Sequence, residues 1–350
     1  MNNEPRELRV IETDRQVCLA RFSRCGNYLL TGGYDATIRR WDFSGEEPNE
    51  IAPLLGHRGW VQNFATLPDG ETLVSADSWG GLCAWPVAGE KPQPKWKNDS
   101  AHDGWIRSLA ASDDGQLIAT AGRDKMVRVW SAADGKLLHE FAGHEHDIYS
   151  LGVHPGGKAV VSGDLMGNLK HWDLEADKLS REVRLEKMHF HDNIQDVGGL
   201  RILQFHDDGK TLLCAGNEPT KAGRSFGIPT LRQLDWDSLE EKKLHQFGPD
   251  KNGFIFDLHW HADGYFMIVT SGPPGAGMFL FQRPEQDEPF FTHTKLFNTH
   301  SLAPHPDGFR FVVAATNRQS QGNGAVLDKE GKYLGNSSPL HVFDLRPDAA

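Results

Sequence analysis

The stretch ARFSRCGNYLLTGGYDATIRRWDF (residues 20–43) sets short apolar runs around tight turns and ends on Trp41-Asp42. Its layout returns along the whole chain. The turn glycine, Gly26, has counterparts at Gly70, Gly115, Gly157, Gly209, Gly264 and Gly308, at spacings of 44, 45, 42, 52, 55 and 44 residues. Seven copies therefore fill the 350 residues. In the third copy, WIRSLAA, QLIATAG, MVRVWSA and KLLHEF are separated by the turn signals Asp113-Asp114-Gly115, Arg123-Asp124-Lys125 and Ala133-Asp134-Gly135, which reads as four successive strands. One such sheet cannot bury both of its faces alone, so the copies must stack on their neighbours.

Two further features recur. Trp41, Trp85, Trp130 and Trp172 each stand 15 residues after their turn glycine, and His57, His102 and His144 each stand 13 residues before the next one. On these residues, with Gly56, Ala101 and Gly143 before the histidines and Asp42 and Asp173 after two of the tryptophans, the chain resembles the WD-repeat (WD40-type) β-propeller family over almost its whole length. The resemblance implies an all-β fold, a seven-bladed β-propeller of four-stranded antiparallel blades. The blades are expected near residues 14–55, 56–100, 101–142, 143–186, 187–247, 248–294 and 295–346, as one domain over residues 1–350. The seventh copy offers SLAPH, FRFVVAAT and LHVFDL but no fourth strand, while RELRVIE (Arg6 to Glu12) has no partner in the first copy. Residues 6–12 are thus expected to complete blade seven and shut the ring, pairing edges that would otherwise stay open.

The resemblance also implies that the most repeated polar residues are framework. In copy three, His102, Thr120, Asp124 and Trp130 match the family's structural tetrad, which links a Trp through a hydroxyl and an imidazole to a turn carboxylate. Copies two and four keep His57, Ser75, Trp85 and His144, Ser162, Trp172, with Asp77 and Asp164 two places earlier in the turn. Copy one has Thr31, Asp35 and Trp41 but no histidine, and copies five to seven carry Leu234-Asp235, Phe279 to Phe281 and Phe343-Asp344 where Trp-Asp would stand. Apolar packing must hold those last blades.

Composition bounds the function. A formal charge of −11 disfavours nucleic acid or an anionic membrane as partner, both of which need a basic field. Neither a secretory signal nor an apolar run of membrane-spanning length is visible, so the cytoplasm is the expected compartment. Cys18, Cys25, Cys83 and Cys214 lack CxxC spacing and suit reduced thiols. Among 17 histidines, His189-x-His191 and His259-x-His261 alternate as metal ligands can, but no third ligand stands at a telling spacing. His206, His261 and His305 share the turn-flanking slot of His154, which reads as repeat architecture, so neither metal nor cofactor is expected.

The irregularities point to a binding face. Copy five carries GNEPTKAGRSFGIPT between its second and third strands, copy six SGPPGAG and copy seven about 23 residues, while KMHFHDNIQDVGG enlarges the approach to blade five. In the family's architecture all four open on one face. On that face the mouth of the channel is expected to hold Gln16 and Cys18, Trp60 and Gln62, Trp105 and Arg107, Asp147 and Tyr149, Gly199 and Arg201, Phe254 and Phe256, and Asn298 and His300. The short second turns add Tyr34, Ser78, Arg123 and Leu165. Aromatics and Arg dominate interface hot spots. A partner protein or peptide is therefore expected on Tyr34, Trp60, Trp105, Arg107, Arg123, Tyr149, Arg201, Phe254, Phe256 and His300, held by a monomeric scaffold. The alternative is a propeller hydrolase or lyase, with carboxylates such as Asp147, Asp192 or Glu218 and histidines such as His191 or His300 converging under the long loops. No GxSxG, HExxH or GxxxxGK[ST] motif supports it.

Overall fold

The computed structural model describes residues 4–192, 195–220, 226–273, 275–316 and 337–347. They form a seven-bladed propeller of four-stranded antiparallel sheets. Blade one consists of Val17–Phe22, Tyr28–Gly33, Thr37–Asp42 and Asn49–Leu55, from the channel outwards. The third runs Ile106–Ala111, Leu117–Gly122, Val127–Ser131 and Leu137–Phe141, the four runs read from the sequence. Each inner hairpin turns on its anchor glycine, all seven at φ between 64° and 78°, a left-handed conformation that glycine adopts without a Cβ clash.

The N-terminal strand closes the ring. Arg6–Ile11 pairs antiparallel with Leu340–Asp344, which continues into Arg310–Ala314 and Ser301–Pro304. Side chains reinforce the junction: the Thr13 hydroxyl donates to the Ser338 carbonyl at 2.9 Å and the Val17 N–H donates to the Ser338 hydroxyl at 3.0 Å. Among the described residues no helix is long and apolar enough to cross a membrane.

Cores lie between blades, and their chemistry changes around the ring. In blade three Trp130 Nε1 donates to Thr120 Oγ1 at 2.7 Å, Thr120 bonds His102 Nε2 at 2.8 Å, and His102 Nδ1 bonds Asp124 at 2.9 Å. The same chain runs Trp85, Ser75, His57, Asp77 in blade two and Trp172, Ser162, His144, Asp164 in blade four. Blade one has only a long 3.4 Å bond from Trp41 to Thr31. Pairing registers put Leu234, Phe281 and Phe343 in the Trp slot of blades five, six and seven, and around them Phe279 and Phe311 build a continuous aromatic wall.

A second set of contacts ties blade to blade at the turn-glycine end. His154, His261 and His305 each take a backbone N–H on Nδ1, which leaves the proton on Nε2 to donate to the carbonyl of the next blade's turn glycine: Gly209 at 3.0 Å, Gly308 at 2.9 Å and Gly26 at 3.1 Å. His206, in the same slot, packs edge-on against Trp260 instead.

Candidate functional site

The face opposite those turns is built by one repeated irregularity. On the inner strands of the first six blades the ladder skips a residue, and the skipped residues are Cys18, Gln62, Arg107, Tyr149, Arg201 and Phe256. A bulge of this kind leaves the extra residue out of the pairing and re-aims its side chain. All six line a central cavity of about 850 Å³, and His300 lines it from blade seven. Gly33, Gly122 and Gly216 sit opposite the bulges of blades one, three and five, where a Cβ would meet the carbonyls of Gln16, Trp105 and Gly199 at 2.3, 1.9 and 2.5 Å. Short second turns clamp the same strand ends: Ser78, Arg123 and Leu165 donate their N–H groups to the carbonyls of Trp60, Trp105 and Asp147 at 3.0, 2.9 and 3.0 Å.

Above the bulges the side chains run into one another. Tyr34 meets Trp60 edge to face at 5.0 Å, and Trp60 meets Trp105 at 5.8 Å. The Arg107 guanidinium lies 4.3 Å from the Trp105 ring and 4.5 Å from Tyr149; Arg201 follows at 3.9 Å from Tyr149 and 5.4 Å from Phe254, which contacts Phe256 at 6.3 Å. Cation–π contacts and aromatic pairs thus form an unbroken arc over blades one to six. Its exposed members are Tyr34, Trp60 and Phe256, at 46%, 44% and 49%.

Eight of the ten residues expected to bind a partner belong to this arc. Arg123 does not: its side chain is exposed at the rim, near Gly104. His300 stands beneath, its Nδ1 donating to the Asn298 carbonyl at 2.9 Å, and burial lowers its pKa. The two arginines differ. Arg107 is matched by Asp147 at 3.1 Å, whereas Arg201 has no carboxylate partner among the described residues; its Nε donates to the Gly198 carbonyl at 2.9 Å, and burial lowers its pKa. Deeper in the channel, Arg21 forms a two-pronged pair with Asp257 at 2.6 and 2.9 Å, and Asp257 also takes the Leu302 N–H at 2.9 Å. That buried pair joins blades one, six and seven.

Two of the sequence's long loops have more structure than expected. The approach to blade five folds into a hairpin, His189–Asp192 with Gln195–Gly198, and the blade-five insertion extends two strands, Thr211–Pro219 and Gly227–Asp235, beyond the usual length. They interlock with their surroundings: Gln246 donates to Glu218 at 2.9 Å, and Thr220 to Asp250 at 3.1 Å. Of the blade-seven insertion, residues 317–339, the first twenty fall outside the described residues, as does the Asp192 side chain. Of the groups named for hydrolysis, Asp147 pairs with Arg107, Glu218 accepts from Gln246, and His191 bonds Asp196 at 3.0 Å.

The family model for the WD domain, G-beta repeat, matches residues 7–42, 95–131 and 135–173, on a ring of seven four-stranded blades. Those three stretches carry WD repeats. This WD-repeat propeller is similar to the nuclear distribution protein nudF of Aspergillus niger, 28% identical over 180 residues, which are 46% of this chain and 40% of nudF. It is similar to the protein groucho of Drosophila melanogaster, 25% identical over 263 residues, 73% of this chain and 31% of groucho. The nuclear distribution protein PAC1 of Trichophyton verrucosum is 30% identical over 152 residues, 43% of this chain and 28% of PAC1. The WD-repeat propeller therefore spans only about a quarter to two fifths of these relatives.

Proposed function

We propose that this propeller is a protein-interaction scaffold that holds a peptide or a partner domain across the mouth of its channel. The observation that carries the reading is the continuous arc from Tyr34 to Phe256, with three large aromatic side chains standing half-exposed beside the central cavity. Rigid aromatic and Arg side chains on framework strands bury much area while losing little conformational entropy, which is what an interface hot spot requires. Phe256 is turned out of its sheet by a bulge and Trp60 stands just before its strand, both exposed, so removing them leaves the blade cores intact. A net charge of −11 favours a protein partner over nucleic acid or an anionic membrane.

The test is affinity capture from the native host, quantified by mass spectrometry, with the wild-type chain, a Trp60→Ala/Phe256→Ala double variant and a control, Asp113→Lys, at the opposite face. Proteins lost with the double variant and kept by the control are expected. An identical partner set from all three overturns the reading.

A further inference from the structure

We propose that the partner presents an acidic side chain, and that its carboxylate is seated on Arg201 at the channel mouth; the inference rests on the interaction reading above and specifies its chemistry.

Arg21, Arg107 and Arg201 line the cavity. Asp257 neutralises Arg21 and Asp147 neutralises Arg107, so of the three only Arg201 is left without a carboxylate partner among the described residues. Burying a guanidinium without a counter-ion is costly, and the environment disfavours the charge further through neighbouring Arg107. The Tyr149 ring at 3.9 Å and the Phe254 ring at 5.4 Å flank the guanidinium, and Nε is committed to the Gly198 carbonyl. What remains for a ligand is the edge carrying the two terminal nitrogens, beside the Tyr149 phenol. A planar carboxylate fits that edge with two parallel hydrogen bonds, and the flanking rings hold the fork in place before the ligand arrives.

The same accounting selects a single carboxylate over a polyanion. One guanidinium without a carboxylate partner, on a protein of net charge −11, neutralises one anionic group, and each further phosphate would be repelled. A peptide supplies the remaining requirement, apolar groups beside the carboxylate to cover Phe256 and Trp60, which a free small acid lacks.

The probe is a phage-displayed library of random 12-residue peptides, panned on the full chain. Enriched sequences are then synthesised with a fluorescein label and titrated by fluorescence polarisation. The expected result is a shared Asp or Glu whose exchange for Asn or Gln weakens binding at least tenfold to the wild-type chain. Arg201→Met, which keeps an unbranched apolar stem at that position, is expected to weaken the acidic peptide by a similar factor and to leave the amide peptide unchanged. The peptide-side exchange needs no altered protein, so it decides the matter even if Arg201→Met fails to fold. Peptides without acidic residues that lose binding to Trp60→Ala/Phe256→Ala overturn the carboxylate and keep the interaction site. Peptides indifferent to both Arg201→Met and the aromatic variant overturn both, and a library yielding no acidic binder overturns the carboxylate.

Discussion

Thr120 shows what the repeated polar residues do. Its hydroxyl accepts from Trp130 Nε1 at 2.7 Å and bonds His102 Nε2 at 2.8 Å, while His102 Nδ1 faces the Asp124 carboxylate. With the Nδ1 proton on the side of Asp124, Nε2 is the acceptor, so one hydroxyl both gives and receives. Thr120→Val keeps the shape and leaves a buried Trp N–H and an imidazole nitrogen unpaired. The expected cost is about 1–3 kcal/mol in the urea-denaturation free energy, with little change in fold. These residues were legible because they recur once per copy at fixed spacing. Arg40 was not: it is fully buried and donates to the carbonyls of Ala52, Val87 and Gly89 at 2.7, 2.8 and 2.9 Å, tying blade one to blade two without a carboxylate. Nothing in its sequence neighbourhood separates it from the partly buried, carboxylate-paired Arg39 beside it, because backbone carbonyls leave no residue signature.

At the scale of elements, the period fixed where strands begin and the turn glycines fixed the hairpins, so the third copy was readable almost residue by residue. The bulges were harder. The sequence marks the mouth positions only by counting back from the anchor glycines; the small residues opposite, Gly33, Gly122 and Gly216, are the signal that a carbonyl crowds the strand there. The hairpin before blade five was hidden because its turn lacks a strong two-residue signature. It is held by one carboxylate oxygen, Asp196 Oδ1, which receives His189 Nε2 at 2.7 Å and His191 Nδ1 at 3.0 Å, and these bonds, that of His189 foremost, lower the Asp196 pKa. Asp196→Asn removes the charge and weakens both bonds. Faster amide exchange over residues 189–198 is expected, read by mass spectrometry, with the melting temperature moved by no more than a degree or two, since the hairpin lies outside the seven blades. Unchanged exchange would show that packing of the hairpin on blade five, not this carboxylate, holds it.

Across the whole molecule, the irregular blades do not form a loose half. Blades two to four are fastened by polar chains, blades six and seven by a phenylalanine wall, and the histidines at the turn-glycine end bridge blades four to five, six to seven and seven to one. That distribution makes the ring sensitive to acid as a unit. Burial lowers the pKa of His102, His245, His293, His300 and His305 below the ordinary 6.5, and that of His171 to about 4. Each of these groups binds fewer protons folded than unfolded, so each contributes stability above pH 6.5 that is lost as the pH falls. His305 has a geometric reason as well: a proton on Nδ1 turns the acceptor of the Asp307 N–H into a donor and breaks the turn that points Nε2 at Gly26. The carboxylates held low by hydrogen bonds, Asp164 and Asp208 among them, add the same sign below their ordinary 3.8. Urea unfolding followed by tryptophan fluorescence is therefore expected to give a midpoint nearly constant from pH 8 to 7, falling steadily from 6.5 to 4. Because the groups are spread over blades three to seven and the ring is closed by its first strand, the loss should appear as one cooperative transition at lower urea. A flat midpoint over that range would mean that the histidines stay solvated in the folded ring.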